Sequence, residues 1–208
     1  MKVAYKYRIY PNSSQKEYFA KCFGCVRFFY NKSLQDKIDH YSVTKETINP
    51  TPAQYKNEYE FLKEIDSLAL ANAQLAREVA YKNFFSKRSQ FPKFKSKKND
   101  QSYTTNNQGG TVKFSDNGRY ITIPKCKRIR IKKHRDFVGT IKSVTVSMTC
   151  CGKYYISLLV ETNDNKMLSP NKNAIGIDLG IKSFIVDSNG KSYENPKYFK
   201  KLENRLAI

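Results

Sequence analysis

"KVAYKYRIYPNSSQKEYF", residues 2–19, changes its periodicity once, and that change decides the fold. Up to Tyr10 the apolar positions come every second residue. Val3, Tyr5, Tyr7 and Ile9 share one face, and Lys2, Lys6 and Arg8 share the other. Period 2 is the signature of a half-buried strand, here with a basic outer side. After Pro11 the spacing becomes helical: Ser14 followed by Glu17 predicts a capping box. Beyond it Tyr18/Phe19, Cys22/Phe23, Val26, Phe29/Tyr30 and Leu34 recur as an aromatic stripe, whose ordinary use is core packing. A lone N-terminal strand followed by helices must find its sheet partners much later in the chain.

Two more helices follow. Thr51 with Pro52 predicts one start, and Asp66 or Ser67 caps a third helix running to about residue 88. On that helix Leu68, Ala71, Leu75 and Val79 are expected to face inward. Asn72, Arg77, Tyr81 and Lys82 are expected outward, with Gln74 at the edge. From 102 to 161 the pattern returns to strands and turns. "KFSDNGRYITI" is a hairpin turning at Asn117-Gly118, and "VTVSMTCCGKYYISLLVE" another at Gly152. Between them "KCKRIRIKKHR" puts Arg128, Arg130 and Lys132 on one face and Ile129 and Ile131 on the other. The simplest architecture is α+β. Residues 1–12 and 101–165 form one barrel or curled sheet, and residues 13–100 are inserted in it as helices. Residues 166–173 read as a polar linker to a last block, 174–208.

Charge points to the partner. Among 208 residues there are 38 Lys and Arg against 18 Asp and Glu, so the chain attracts polyanions by counterion release. Residues 82–98 hold seven Lys or Arg and no acid, interleaved with Phe84, Phe85, Phe91 and Phe94. Basic side chains neutralise phosphates, while aromatics stack on bases or fix the loop in the fold. Lys6, Arg8, Lys82, Lys93, Lys95, Lys97, Lys98, Arg128, Arg130 and Lys132 are the phosphate-contact candidates. Asn72, Gln74 and Tyr81 are the base-reading candidates.

In "AIGIDLGIKSFIVDSNG", residues 174–190, Gly176, Asp178 and Gly180 share a strand face, so the carboxylate is flanked by residues without side chains. A hydrated divalent cation bridging to a phosphate suits such a site. The plainer reading is a carboxylate that accepts hydrogen bonds near a turn. Cys22-x-x-Cys25 lies on the aromatic helix without a second pair, and Cys150-Cys151 falls in a hairpin, so packing rather than zinc is expected of these thiols. No apolar run reaches the roughly 18 residues of a membrane span, and the start lacks a secretory core. With five cysteines in no scaffold pattern, a cytoplasmic, nucleoid-associated protein is expected.

Six stretches in order, "YKYRIYPNSSQ", "FGCVRFFYNKSL", "DSLALANAQLAREVAYKNFF", "FPKFKSKK", "IKSVTVSMTCCGKYYISLLVE" and "AIGIDLGIKSFIVDSNGKSYENPKYFKK", resemble the N-terminal part of TnpB (OrfB) proteins. These are RNA-guided DNA endonucleases of bacterial insertion sequences. The resemblance implies a wedge-type β-barrel, an inserted helical recognition bundle, and the first strands of a ribonuclease H-like RuvC domain. It implies guide RNA and double-stranded target DNA as partners. It makes Asp178 the first acidic residue of the RuvC site, holding Mg²⁺ once that site is complete. The family's catalytic glutamate, further aspartate and four-cysteine zinc ribbon lie downstream of the matched stretch. These residues are therefore expected to hold no zinc and not to cleave DNA alone, with a separately encoded C-terminal half as a possible partner. Two alternatives stay open. One is a nuclease-dead nucleic-acid-binding protein or repressor. The other is an actin-like ATPase, since "GIDLG" opens such phosphate loops, although Ile181-Lys182-Ser183 replaces their usual Gly-Thr or Thr-Thr.

Overall fold

The computed structural model describes residues 1–162 and 174–206, and the expected linker lies outside them. The chain divides into two units, Met1–Asn165 and Lys166–Ile208.

In the first unit β1 (Lys2–Tyr10) is followed by α1 (Ser13–Thr44), α2 (Pro52–Glu58), a 3₁₀ turn (Glu60–Lys63) and α3 (Ser67–Phe85). Six strands complete the unit: β2 (Gln101–Asn106), β3 (Lys113–Phe114), β4 (Tyr120–Ile123), β5 (Cys126–Lys132), β6 (Thr140–Met148) and β7 (Tyr154–Glu161). The strands form one antiparallel sheet in the order β2-β6-β7-β1-β5-β4-β3. The N-terminal strand thus pairs with β7 on one side and β5 on the other, across the whole helical insertion. Among the described residues the pairing runs from an edge at β2 to an edge at β3, so what is observed is an α+β sheet with helices rather than a closed barrel.

Period 2 in the sequence becomes two faces. Tyr7, Ile9, Ile129, Ile131, Val144, Val146, Ile156 and Leu158 are buried on the inner face. α1 docks there through its stripe: Phe19 meets Tyr103 and Tyr154 at 6.3 and 6.0 Å between ring centroids, and Phe23 meets Tyr103 at 5.8 Å. A fully buried phenylalanine such as Phe19 contributes roughly 1.5–3 kcal/mol through apolar area alone. α1 begins two residues earlier than the expected capping box. Asn12 is the cap, its side chain accepting from the Gln15 amide at 2.9 Å while Gln15 Oε1 accepts from the Asn12 amide at 3.0 Å. Ser14 and Glu17 therefore lie inside the helix, because the asparagine directly after Pro11 reaches the orphan amide first. Gln15 Nε2 also donates to the Lys127 carbonyl at 2.9 Å, tying the helix start to β5.

The third helix corrects the sequence reading. Ala69, Leu70, Ala73 and Arg77 are its buried residues, whereas Leu75 and Val79 are 54% and 55% exposed. Small residues at 69 and 73 let the helix backbone approach its neighbours, which a leucine at 75 would hold off. Arg77 is fully buried: Nη2 donates to Asn49 Oδ1 at 2.8 Å and to the Pro50 carbonyl at 3.1 Å, pinning the segment between α1 and α2. Asp66, one of the two cap candidates, accepts from the Leu68 amide at 3.4 Å.

One lysine joins insertion to sheet. Lys125, left-handed (φ 58°) in the β4–β5 turn, donates Nζ to the carbonyls of Lys63, Glu64 and Ile65 at 3.2, 3.1 and 2.8 Å. Gly139, just before β6, is needed for packing: at φ 139° a side-chain carbon would stand 2.3 Å from the Glu161 carbonyl oxygen.

The second unit is a meander of β8 (Ile177–Leu179), β9 (Ser183–Asp187) and β10 (Ser192–Glu194), ordered β10-β9-β8, followed by α4 (Tyr198–Leu206). Gly190 takes φ 81° in the turn between β9 and β10.

Candidate nucleic-acid interface

The outer face of the sheet is built by the same alternation that buries the inner one. Register places Tyr10 beside Arg130, Arg130 beside Tyr120, Arg8 beside both Lys132 and Tyr155, and Lys6 beside Ser157. Aromatic rings and cations therefore alternate across β7, β1, β5 and β4. Lys6 Nζ lies 4.8 Å from the Tyr155 centroid, and the Arg8 guanidinium lies 5.0 Å from Tyr155 and 5.5 Å from Tyr10. Arg130 lies 5.9 Å from Tyr10, and Arg128 5.2 Å from Tyr120. Each pair is within cation–π range. Toward β2 the same face carries short hydroxyl side chains, with Thr104 and Thr145 hydrogen-bonded across the strands at 2.8 Å.

Among the described residues Lys6, Arg8, Arg128, Arg130 and Lys132 form no ion pair with a carboxylate. Arg8 Nη1 is buried without a hydrogen-bond partner. Cations left uncompensated this close together repel one another, so a polyanion laid across them gains on each. Tyr10, Arg119, Tyr120, Arg130 and Lys132 line a cleft of about 530 Å³ at one end of this face. Tyr10, Tyr120 and Tyr155 were not singled out in the sequence. Their signal was there, because Tyr10 falls on the same alternating face as Lys6 and Arg8.

The other candidates sit elsewhere in the first unit. Lys82, Lys93, Lys97 and Lys98 are exposed. Lys95 Nζ sits 4.4 Å from the Tyr30 centroid, and Asn31 clasps the Lys95 backbone by two hydrogen bonds of 2.8 and 3.0 Å. Phe91 folds back onto the end of α3, edge-on to Tyr81 and Phe84 at 5.6 and 5.3 Å. Phe84 and Phe91 of the basic tract thus fix the loop in the fold, whereas Phe85 and Phe94 are exposed. Asn72 Nδ2 donates to the Leu68 carbonyl at 2.8 Å and to Asn106 Oδ1 at 3.4 Å, and Gln74 Nε2 to Glu78 Oε1 at 2.8 Å. Tyr81 is half-buried with Lys37 over its ring at 4.8 Å. Burial, and then repulsion from Arg77, pull the Lys37 ammonium below its usual pKa.

In the second unit Asp178 is exposed on β8, opposite Val186. Asp187 stands opposite Ile177, on the other face, and its Oδ1 accepts from the amides of Asn189 and Lys191, both at 2.9 Å. Among the described residues no three His, Cys, Asp or Glu side chains gather. In-line phosphodiester hydrolysis by two Mg²⁺ ions needs several converging carboxylates, so the residues described here do not complete such a site. Cys22 and Cys126 are core residues whose thiols burial pushes up to about 12 and about 11. No helix among the described residues is long and apolar enough to cross a membrane.

Comparisons agree with the resemblance. A family model described as a helix-turn-helix domain, HTH_OrfB_IS605, matches residues 1–46. Over those residues this chain is a strand followed by one uninterrupted helix of 32 residues. "Putative RNA-guided DNA endonuclease InsQ" of Escherichia coli (strain K12) is 30% identical over 98% of this chain and 52% of that protein. A "Putative RNA-guided DNA endonuclease" of Streptomyces pristinaespiralis is 31% identical over 100% of this chain and 53% of that protein. The chain thus spans about half the length of these curated relatives. "Virulence protein VsdF" of Salmonella dublin is 38% identical over 45% of this chain and 92% of that protein. A cryo-EM structure of a Cas12f1-sgRNA-target DNA complex aligns over all of this chain and 60% of that one, at 11% identity and a TM-score of 0.39. The chain belongs to the TnpB/OrfB family and is homologous to RNA-guided DNA endonucleases over the N-terminal half of those proteins.

Proposed function

We propose that these residues are the nucleic-acid-binding portion of a TnpB-like RNA-guided DNA endonuclease, holding guide RNA and double-stranded target DNA. The observation that carries this reading is the outer sheet face, where Lys6, Arg8, Arg128, Arg130 and Lys132 have no carboxylate partner among the described residues and lie among tyrosines. On this reading the sheet is the wedge-type element and the helices of residues 13–100 are the recognition bundle. The meander carrying Asp178 opens a RuvC-like domain. Mg²⁺, when bound by a completed carboxylate set, would supply Lewis-acid stabilisation of the transferring phosphoryl oxygens. The described residues contribute Asp178 to that set and do not cleave by themselves.

The test is purification of the 208-residue chain from cells at moderate salt, sequencing of the RNA that copurifies, and challenge of plasmid DNA with Mg²⁺. A discrete enriched RNA without nicking is expected. Bulk RNA that is stripped by raising the salt would remove the guide-binding reading, and Mg²⁺-dependent nicking abolished by Asp178→Ala would remove the statement on cleavage.

A further inference from the structure

Resting on the reading that this face binds nucleic acid, we infer that the ladder of Tyr155, Tyr10 and Tyr120 takes an unpaired, extended strand, one base on each ring, and not a duplex. The spacing of the rings is the reason. Tyr155 stands opposite Arg8, and Tyr10 is two residues further along the same strand, a diagonal of about 7–8 Å. Tyr10 and Tyr120 flank Arg130 in one row, two strand spacings or about 10 Å apart. Bases stacked in a duplex repeat every 3.4 Å or so and offer no gap for a side chain. Rings at two to three times that interval can each receive a face only from bases that have left the stack.

Accessibility and charge agree. Tyr10 is 48% exposed, although it sits between two guanidinium groups. A ring held open to solvent by its neighbours is a platform rather than a core residue. Arg8 and Arg130 lie over Tyr10, and Lys6 and Arg8 over Tyr155, so the phosphates of a splayed strand meet cations beside each stacked base. The cleft between Tyr10 and Tyr120 has the size of a small-ligand pocket. It is concave, which suits a flipped base with its phosphate.

The experiment uses the whole 208-residue chain and three fluorescein-labelled probes of one sequence: a short RNA strand without self-complementarity, its DNA counterpart, and the DNA duplex. Anisotropy titrations are run over a range of salt. Both single strands are expected to bind more tightly than the duplex. Tyr10→Ala should weaken single-strand binding about 5- to 150-fold, the range for losing one stacked base, without changing the salt slope. The loss on the duplex should be smaller than on either strand, and Tyr10→Phe should keep wild-type affinity. Arg130→Gln, by contrast, should reduce the single-strand slope by about 0.7, one phosphate's worth. An unchanged circular dichroism spectrum establishes that the variants are folded. Equal losses on strand and duplex, or none on either strand, would overturn the inference while leaving nucleic-acid binding in place. Failure of the wild type to bind any probe would instead overturn the reading on which it rests.

Discussion

Replacing Gly139 by alanine tests whether the sheet is built as described, because the structure supplies both parts of the cost. Its φ of 139° lies where L residues are strained, at about 1–3 kcal/mol. The added carbon would also meet the Glu161 carbonyl oxygen at 2.3 Å and Val160 Cγ1 at 2.8 Å. Backbone of a central strand cannot swing aside as a long side chain can. Overpacking of this kind adds about 1–3 kcal/mol. The expected loss is therefore about 2–6 kcal/mol, a large part of the roughly 5–15 kcal/mol available to a domain. Gly152 in the β6–β7 turn is the control: φ is 70°, but nothing stands within 4 Å of an added carbon. Gly152→Ala should lose only the left-handed penalty of about 1–2 kcal/mol. Urea unfolding followed by far-ultraviolet circular dichroism measures both. If Gly139→Ala proved no worse than Gly152→Ala, β6 would not lie against β7 in this way.

Leu75→Ser and Val79→Ser should each change stability by less than about 0.5 kcal/mol, while Leu70→Ala should cost about 2–5 kcal/mol; the reverse pattern in urea melts would restore the inward stripe expected from the sequence. Alkylation of the native protein at neutral pH should modify Cys150 and Cys151, which are exposed, and spare Cys22, Cys25 and Cys126, which are buried; mass spectrometry after a thiol-specific reagent decides it. Those buried thiols also set an alkaline limit. Burial raises Cys22 to about 12 and Cys126 to about 11 from an ordinary 9.0, so their contribution is intact below pH 9 and is lost as pH rises through 11 to 12. Tyr18 and Tyr55 are raised by burial too and act with the same sign. A urea midpoint that stayed constant from pH 8 to beyond the raised values would contradict this.

The sequence by itself determined most of the elements. Alternation in 2–10 and 126–132 fixed which side chains of β1 and β5 face water, because a strand has only two faces and one residue of slip exchanges them all. The hairpins at Asn117-Gly118, Gly152 and Asn189-Gly190 follow from positive φ, which glycine meets without strain. Lys6 and Arg8 on one strand, and Arg130 and Lys132 on another, were legible as outward basic residues for the same reason.

Only the tertiary structure decided which face of α3 is inside. Its sequence offers two stripes, Leu68, Ala71, Leu75 and Val79 or Ala69, Leu70, Ala73 and Arg77, and periodicity weighs the arginine against the second. Packing chose the second because two alanines permit close approach and because Asn49 and the Pro50 carbonyl accept from the buried guanidinium. Neither acceptor is near Arg77 in sequence. Likewise, no local pattern sets Tyr155, Tyr10 and Tyr120 in one ladder, for their adjacency comes from β1 lying between strands more than a hundred residues away, and long-range pairing depends on the whole sheet closing over one core.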